Sequence, residues 1–452
     1  MENRKVIIIG AGIGGLSAAY RLGKRGFTVE ILEASNRPAG RMITMERNGD
    51  KADIGAQFYH SNYRRAFELM TALGLDSAKR YISGLIQYSL KDGSTCLYDR
   101  RNPYMKLLGP SGNLSMYRFV LRHIVFGPRI PAYRIARDLP KYDSMEVLEA
   151  FASPSDRMFR EYFLTPISMG MSSGMPEWTS LYHFISMFKN VTLHKHITLT
   201  GGVASFAETL ATHLPVEYEA PVQRILTERG RVAGVELADG SARKAGHVVV
   251  AVAPPAAAAL LPEEMAEQRR FFESVLYAQL PMPVFFLDRP LNKNIWCYFN
   301  DPGLNRNFVF AIDQHSKAPE MSPSGKSILT GWAVHPRTLD LMKLPDEEII
   351  KHAQEDIEIM IPGFSKYIEE VRVHRHSFVN ALYPPGAYRS VLDFLKKTPE
   401  LQGVSFVSSA LGGTCIEAAM VSAADAVKRI CGWGCMNLYE PAEEKAMMGE
   451  RQ

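Results

Sequence analysis

Val6-Ile7-Ile8-Ile9-Gly10-Ala11-Gly12-Ile13-Gly14-Gly15-Leu16 runs from a strand through a turn into a helix. The four β-branched residues form one apolar run, the pattern of a strand buried on both faces of a parallel sheet. Leu16, Ala19, Tyr20 and Leu22 then share a helical face, and Gly26 ends the helix. Phe27-Thr28-Val29-Glu30-Ile31-Leu32 reads as a second strand. Strand, glycine turn, helix and strand together predict half of a doubly wound nucleotide-binding α/β fold. Gly10 permits the tight turn, Gly12 lets a diphosphate approach the backbone, and Gly15 allows helix and strand to pack closely. Ala11, Ile13 and Gly14 complete a loop whose free N–H groups and helix dipole favour phosphate. Glu33 ends the second strand, where its carboxylate can accept hydrogen bonds from a ribose diol and would repel a 2′-phosphate.

The remaining composition bounds the function. The 452 residues, 46% hydrophobic and 22% charged, suggest two or three units with substantial cores. Fifty-two basic against 48 acidic residues give a net charge of +4, too balanced for a nucleic-acid binder. Five cysteines (Cys96, Cys297, Cys415, Cys431 and Cys435) lack paired spacing, which argues against a disulfide framework or a metal site. Val248–Leu261 is the most apolar run, but Pro254 and Pro255 interrupt it and it is too short to span a bilayer. A cytoplasmic protein without a signal peptide is the expectation.

Glu33-Ala34-Ser35-Asn36-Arg37-Pro38-Ala39-Gly40-Arg41 resembles the E-x(6)-G-R stretch of the flavin-dependent amine oxidase superfamily. Monoamine oxidases, protoporphyrinogen oxidases and phytoene-type desaturases belong to that group. Asp53-Ile54-Gly55-Ala56-Gln57-Phe58 resembles its D-x-G-A/G segment, which passes beside the flavin ring. Further similarities follow in order: Gly201-Gly202 before a helix, Pro221-Val222-Gln223-Arg224-Ile225, and Val248 to Pro255 through Ala253. The last are the strand Leu401–Val407 and Gly412-Gly413-Thr414-Cys415-Ile416-Glu417-Ala418-Ala419. The resemblance implies FAD, held by the glycine turn with Glu33, Ala34, Ser35, Gly40, Arg41, Gly55, Ala56, Gln57 and Phe58. It adds the Val222 backbone at adenine, with Ala253, Gly412, Gly413, Cys415 and Ile416 closing the site. It also implies a discontinuous FAD-binding Rossmann-like domain (1–85, 196–268 and 396–435) with an inserted α+β substrate domain (86–195 and 269–395). Residues 436–452 are left as a tail.

Several family positions are changed. Ser408-Ser409-Ala410 replaces a Gly-acid pair, and Ser35 replaces an arginine for which Arg37 can compensate. Tyr383-Pro384-Pro385-Gly386 resembles the monoamine oxidase segment, and counting back from it places Phe378 where those enzymes carry a flavin-linking cysteine. Non-covalent FAD is therefore expected. Cys415 is the one alternative attachment point, although buried free cysteine ordinarily serves packing. Val379 and Cys415 occupy the positions of the aromatic amine cage. The lysine held near flavin N5 has no counterpart in Gln279–Pro283, and Lys293 is too far along. These changes argue against a simple primary-amine oxidase.

Candidate substrate contacts are Tyr59, Met169, Met171, Val379, Tyr383 and Cys415. Met169, Met171, Met175 and Met187 lie in an aromatic stretch that suits either core or an apolar pocket. Met116–Arg137, with Arg118, Arg122, Arg129, Arg134 and Arg137, reads as a basic amphipathic helix, leaving peripheral membrane contact open beside an ordinary surface role. His194-Lys195-His196 reads as an exposed connector, and His374 and His376 share a strand face. His183 is a further proton-acceptor candidate. His376 and Tyr383 rank first for the active site because they precede or enter the flavin-facing segment. The expected chemistry is two-electron dehydrogenation of a C–N or C–C bond in a small, cyclic or apolar organic molecule, in specialised biosynthesis. Hydride passes to flavin N5, with O2 or another carrier as acceptor. A redox-neutral FAD-dependent isomerase and a non-catalytic flavin-holding partner protein are the alternatives; oligomeric state is open.

Overall fold

The computed structural model describes residues 4–99, 102, 104–127, 130–135, 140–291, 294–397 and 402–432. Arg129, Arg137, Lys293, Leu401, Cys435 and the 436–452 tail lie outside the described residues.

Its first sheet is parallel throughout. The order is Val216–Glu217, Thr28–Leu32, Lys5–Ile9, His247–Val250 and Val404–Phe406. Lys5–Ile9 sits in the middle, so both its faces are covered: Val6 and Ile8 enter one apolar cluster, Ile7 and Ile9 another. That is the period-2 alternation of a strand, and it explains why all four residues are apolar. Helix Ile13–Gly23 and closing helix Ile416–Ile430 pack together in the first of these clusters. The last strand is shorter than the sequence suggests, beginning at Val404.

The second large sheet has seven strands: Ile368–His376, Leu280–Leu287, Ile328–Ala333, Phe308–Asp313, Ile295–Asn300, Leu85–Ser89 and Thr95–Tyr98. Neighbours are antiparallel except Ile295–Asn300 with Leu85–Ser89. Helix Asp346–Met360 covers it with Ile349, Ala353, Ile357 and Met360, spaced by four, four and three residues along one face. A helical layer around Phe119, Phe159, Phe163, Phe184 and Phe188 closes the third side.

Two local readings change. The basic amphipathic helix begins at Gly109, not Met116, and its last turns end at Val125, ahead of Gly127-Pro128. His196 belongs to strand His196–Leu199, not to an exposed connector; it is 5% exposed and its ring stacks on Phe58 at 4.1 Å.

Gly10 has φ +101°, a value that favours glycine. Gly15 has a different constraint, since a Cβ there would overlap the Gly10 carbonyl oxygen and press on Ala251 and Ile8. Gly15→Ala should therefore cost about 1–3 kcal/mol through overpacking, read as a lower urea midpoint. Gly23→Ala, where nothing lies within 4 Å of the new methyl, should be neutral or stabilising.

Candidate cofactor and substrate site

A cavity of about 1190 Å³ runs from the glycine turn, past Arg41 and Gly55–Phe58, to the apolar space between the large sheet and the helical layer. It exceeds the roughly 300–1,000 Å³ of ordinary small-ligand pockets, so it accommodates a long ligand and a second molecule.

Two helix N-termini face it. Helix Ile13–Gly23 starts at Gly12 and helix Ile416–Ile430 at Cys415, neither with a side-chain cap, and Gly12, Ile13, Gly14, Cys415 and Ile416 all line the cavity. First-turn N–H groups and positive dipole ends therefore point into one space. A Cβ on Gly12 would meet nothing within 4 Å, whereas one on Gly14 would press into Val407 at 2.8 Å. Gly12 thus keeps the turn open to a ligand, and Gly14 lets the chain's beginning and end close together.

Glu33 lines the cavity and accepts from Ala11 N–H at 2.7 Å and from the Ser35 N–H and hydroxyl at 2.9 and 2.7 Å. Arg37 folds onto the Pro38 and Gly40 carbonyls. Arg41 donates to Val379 O and to Ser409 Oγ, each at 3.0 Å. Ser409 is thus the hydroxyl that meets Arg41 in the altered closing segment. Neither acceptor carries a charge, which leaves the guanidinium charge for an anion at this wall.

Gly40, Gly55, Ala56, Gln57, Phe58 and Ala253 also line the cavity. Ala34 and Ser35 border Glu33, and Ala11 and Gly15 lie beneath the turn. Gly412 and Gly413 form the bend before Cys415, with Gly413 N–H donating to Ser409 O at 2.9 Å. Val222 opens strand Val222–Glu228 away from the lining.

A buried network absent from the sequence reading supports Gly55–Phe58. Lys317 Nζ donates to Asp53 Oδ2 at 2.8 Å, with both side chains 0% exposed, and also reaches Gln57 O at 3.2 Å. Asp53 Oδ1 accepts from Thr44 Oγ1 at 2.7 Å and Val203 N–H at 2.9 Å. Gln314 Nε2 donates to Gln57 Oε1 at 2.9 Å. Glu417 of the closing helix accepts from the Arg65 and Ala66 N–H groups at 2.8 and 3.1 Å. Burial pushes its carboxyl up to about 7.

Of the substrate candidates, Met171, Val379 and Cys415 line the cavity. Met169 is buried in the large-sheet core. Tyr59 is wholly buried and donates to Val203 O at 2.7 Å. Tyr383 stacks between His183 and Tyr388, each at 4.5 Å, and donates to Ala410 O. His183, bonded to Ser172 and Tyr388, is likewise away from the lining. His376 does line it. Its Nε2 is buried without a hydrogen-bond partner. Burial, then His374 and Arg37, push its imidazole down to about 4, so it is neutral at pH 7. Tyr88, Phe163, Trp296, Phe299 and Trp332 form the walls, and among the described residues the lining acids are Glu33 and Asp99.

These residues fit FAD: uncapped N–H groups and Arg41 suit a diphosphate, Glu33 suits a ribose, and apolar walls suit a fused ring. Phe378 lines the cavity without a thiol, and burial raises the Cys415 thiol to about 12, which keeps it protonated and a poor nucleophile. Acid precipitation should therefore release all the flavin into the supernatant; colour kept in the pellet would contradict this. Lys317→Met should cost about 3–5 kcal/mol by stranding a buried carboxylate. Asp53→Asn combined with Lys317→Met should recover part of that loss in urea unfolding.

The comparisons with known proteins agree with this geometry. The chain is 25% identical over 267 residues to the flavin-containing amine oxidase of Oncorhynchus mykiss, covering 55% of this chain and half that protein's length. It is 25% identical over 376 residues to 4,4'-diapolycopene oxygenase of Methylomonas sp, covering 73% and 75% respectively. A solved putrescine oxidase bound to putrescine superposes with a TM-score of 0.74 at 18% identity, over 95% of this chain and 99% of that one. Residues 13–431 match the family described as flavin containing amine oxidoreductase. With an FAD cradle assembled from its beginning, middle and end, the chain belongs to that family.

Proposed function

We propose that this chain is an FAD-dependent dehydrogenase or oxidase that oxidises a C–N or C–C bond in a bulky, apolar and uncharged organic molecule. The observation that carries this reading is the charge pattern of the cavity. Past Arg41 and Phe58 its walls are chiefly aromatic and methionine side chains; among the described residues Asp99 is the one carboxylate in that part of the lining, with the cations Lys195 and Arg375 also in it. An ammonium entering such a space loses hydration that a single carboxylate among cations replaces only in part. Val379 and Cys415 stand where an aromatic cage would grip a small amine, and a wider, softer contact surface suits a larger substrate.

When bound, the flavin supplies two-electron acceptance, taking hydride at N5. The chain's residues supply the rest. Phe58, stacked on His196 and edge-on to Trp296 at 6.1 Å, makes a stiff wall against which a planar substrate is oriented. His376 adds a neutral imidazole to the wall, with Nε2 buried behind the cavity surface, so it contributes shape and no charge. A cyclic amine or imine, a porphyrinogen-like ring and a polyene precursor all meet these demands.

Anaerobic mixing tests the reading. Bulky apolar candidates of these three classes should bleach the flavin absorbance, whereas short primary alkylamines should leave it unchanged. Rapid bleaching by a primary amine would overturn the assignment. So would conversion that occurs only after chemical pre-reduction and without net flavin oxidation, which would mark an isomerase.

A further inference from the structure

The helix that begins at Gly109 has two contrasting sides. Met116 and Phe119 point inward, 7% and 1% exposed, against the phenylalanine core. Leu114, Tyr117, Leu121 and Val125 recur at intervals of three, four and four residues on the other side. They are 61%, 41%, 51% and 58% exposed, and Phe126 beyond them is 81% exposed. Scattered apolar residues are normal on a protein surface, but a continuous stripe of large ones is not.

Two further features say what covers the stripe. Arg118 and Arg122 follow Tyr117 and Leu121 and are exposed beside them, and no acidic residue occurs between Gly109 and Val125. Pairing the stripe with a second copy across a twofold axis would set arginines against arginines, so the charge favours an anionic partner. The stripe also continues into the rim of the cavity. Tyr117, Tyr81 and Leu193 line the cavity and are exposed, and Lys195, also in the lining, is exposed over the Tyr81 ring at 5.4 Å. Among the described residues no helix is long and apolar enough to cross a membrane, so contact is confined to the interface.

We propose that the exposed face of residues 114–126 docks on an anionic lipid surface and sets the cavity mouth against it, so that an apolar substrate enters from the bilayer without crossing water. The docking stands on the surface alone; only the substrate route rests on the proposed function. The apolar side chains enter the headgroup–acyl boundary while the two arginines meet lipid phosphates and carboxylates.

Flotation of the FAD-loaded full chain with vesicles, in the absence of substrate, tests the docking separately from the reaction. The protein should float with vesicles of phosphatidylcholine and phosphatidylserine (about 30% of the latter), and more weakly with phosphatidylcholine alone. Each of Arg118→Gln and Arg122→Gln should weaken binding to the anionic vesicles roughly fivefold, and added salt should shrink that difference. Leu121→Glu with Phe126→Glu should abolish flotation while the flavin spectrum and melting temperature stay as in the parent, since both side chains are exposed. Absence of flotation in the parent, or equal flotation of the double variant, overturns the proposal. A parent dimer that this variant converts to monomer, without vesicle binding in either form, also overturns it and gives the face to a second copy.

Discussion

Lys317 and Asp53, 264 residues apart and both without solvent exposure, hold the cavity wall in place. Removing two charges from water is expensive, and their attraction offsets the penalty only where every remaining polar atom is also bonded. Here that condition is met: Thr44 and the Val203 N–H serve the other Asp53 oxygen, and Gln57 takes further Lys317 protons. The pair thus contributes little net stability and much specificity. It lets Asp50–Asp53 and Gln314–Lys317 meet in one register, and that register sets where Gly55 to Phe58 pass along the cavity. Any slip would leave a buried charge unpaired.

Arg41 makes the complementary link. Its guanidinium joins the glycine-turn side of the molecule to Val379 from the large-sheet side and to Ser409 from the closing segment. Three distant stretches of chain therefore converge on one planar donor, and both acceptors are neutral. The same residue fastens the walls and keeps an unneutralised positive charge, a combination a carboxylate partner would have prevented.

The part of the site that the sequence discloses is the part built from local constraints. Gly10, Gly12 and Gly15 lie within six residues of one another in a single strand–turn–helix unit: Gly10 is required by its backbone conformation, Gly15 by a close approach, and Gly12 keeps the turn open to a ligand. The reading gave Gly14 no separate task, because its neighbours Val407 and Ala419 come from the far end of the chain. Lys317 left no trace for the same reason: nothing in Gln314-His315-Ser316-Lys317 distinguishes a buried cation from a surface one until Asp53 is brought against it. His196 looked exposed because it follows His194 and Lys195, yet the strand pairing with Tyr59–His60 takes it inside. Tyr383 shows the converse. It adjoins the Pro384-Pro385-Gly386 turn, but its ring is committed to a stack with His183 and Tyr388.

The cavity is consequently polarised along its length. At one end two uncapped helix N-termini and Arg41 create a positive field suited to phosphate; at the other, aromatic and thioether surfaces exclude water and strengthen whatever electrostatics the ligand brings. With Asp99 the one lining carboxylate there among the described residues and His376 held neutral, shape and hydrophobic area are the main discriminants among substrates. Such discrimination is shallow, about 1–3 kcal/mol per methylene, unless a polar atom adds to it. Such an atom has to face the space, and Nε2 of His376 does not: it is unpartnered but buried, so the imidazole shapes the wall without offering a substrate an acceptor.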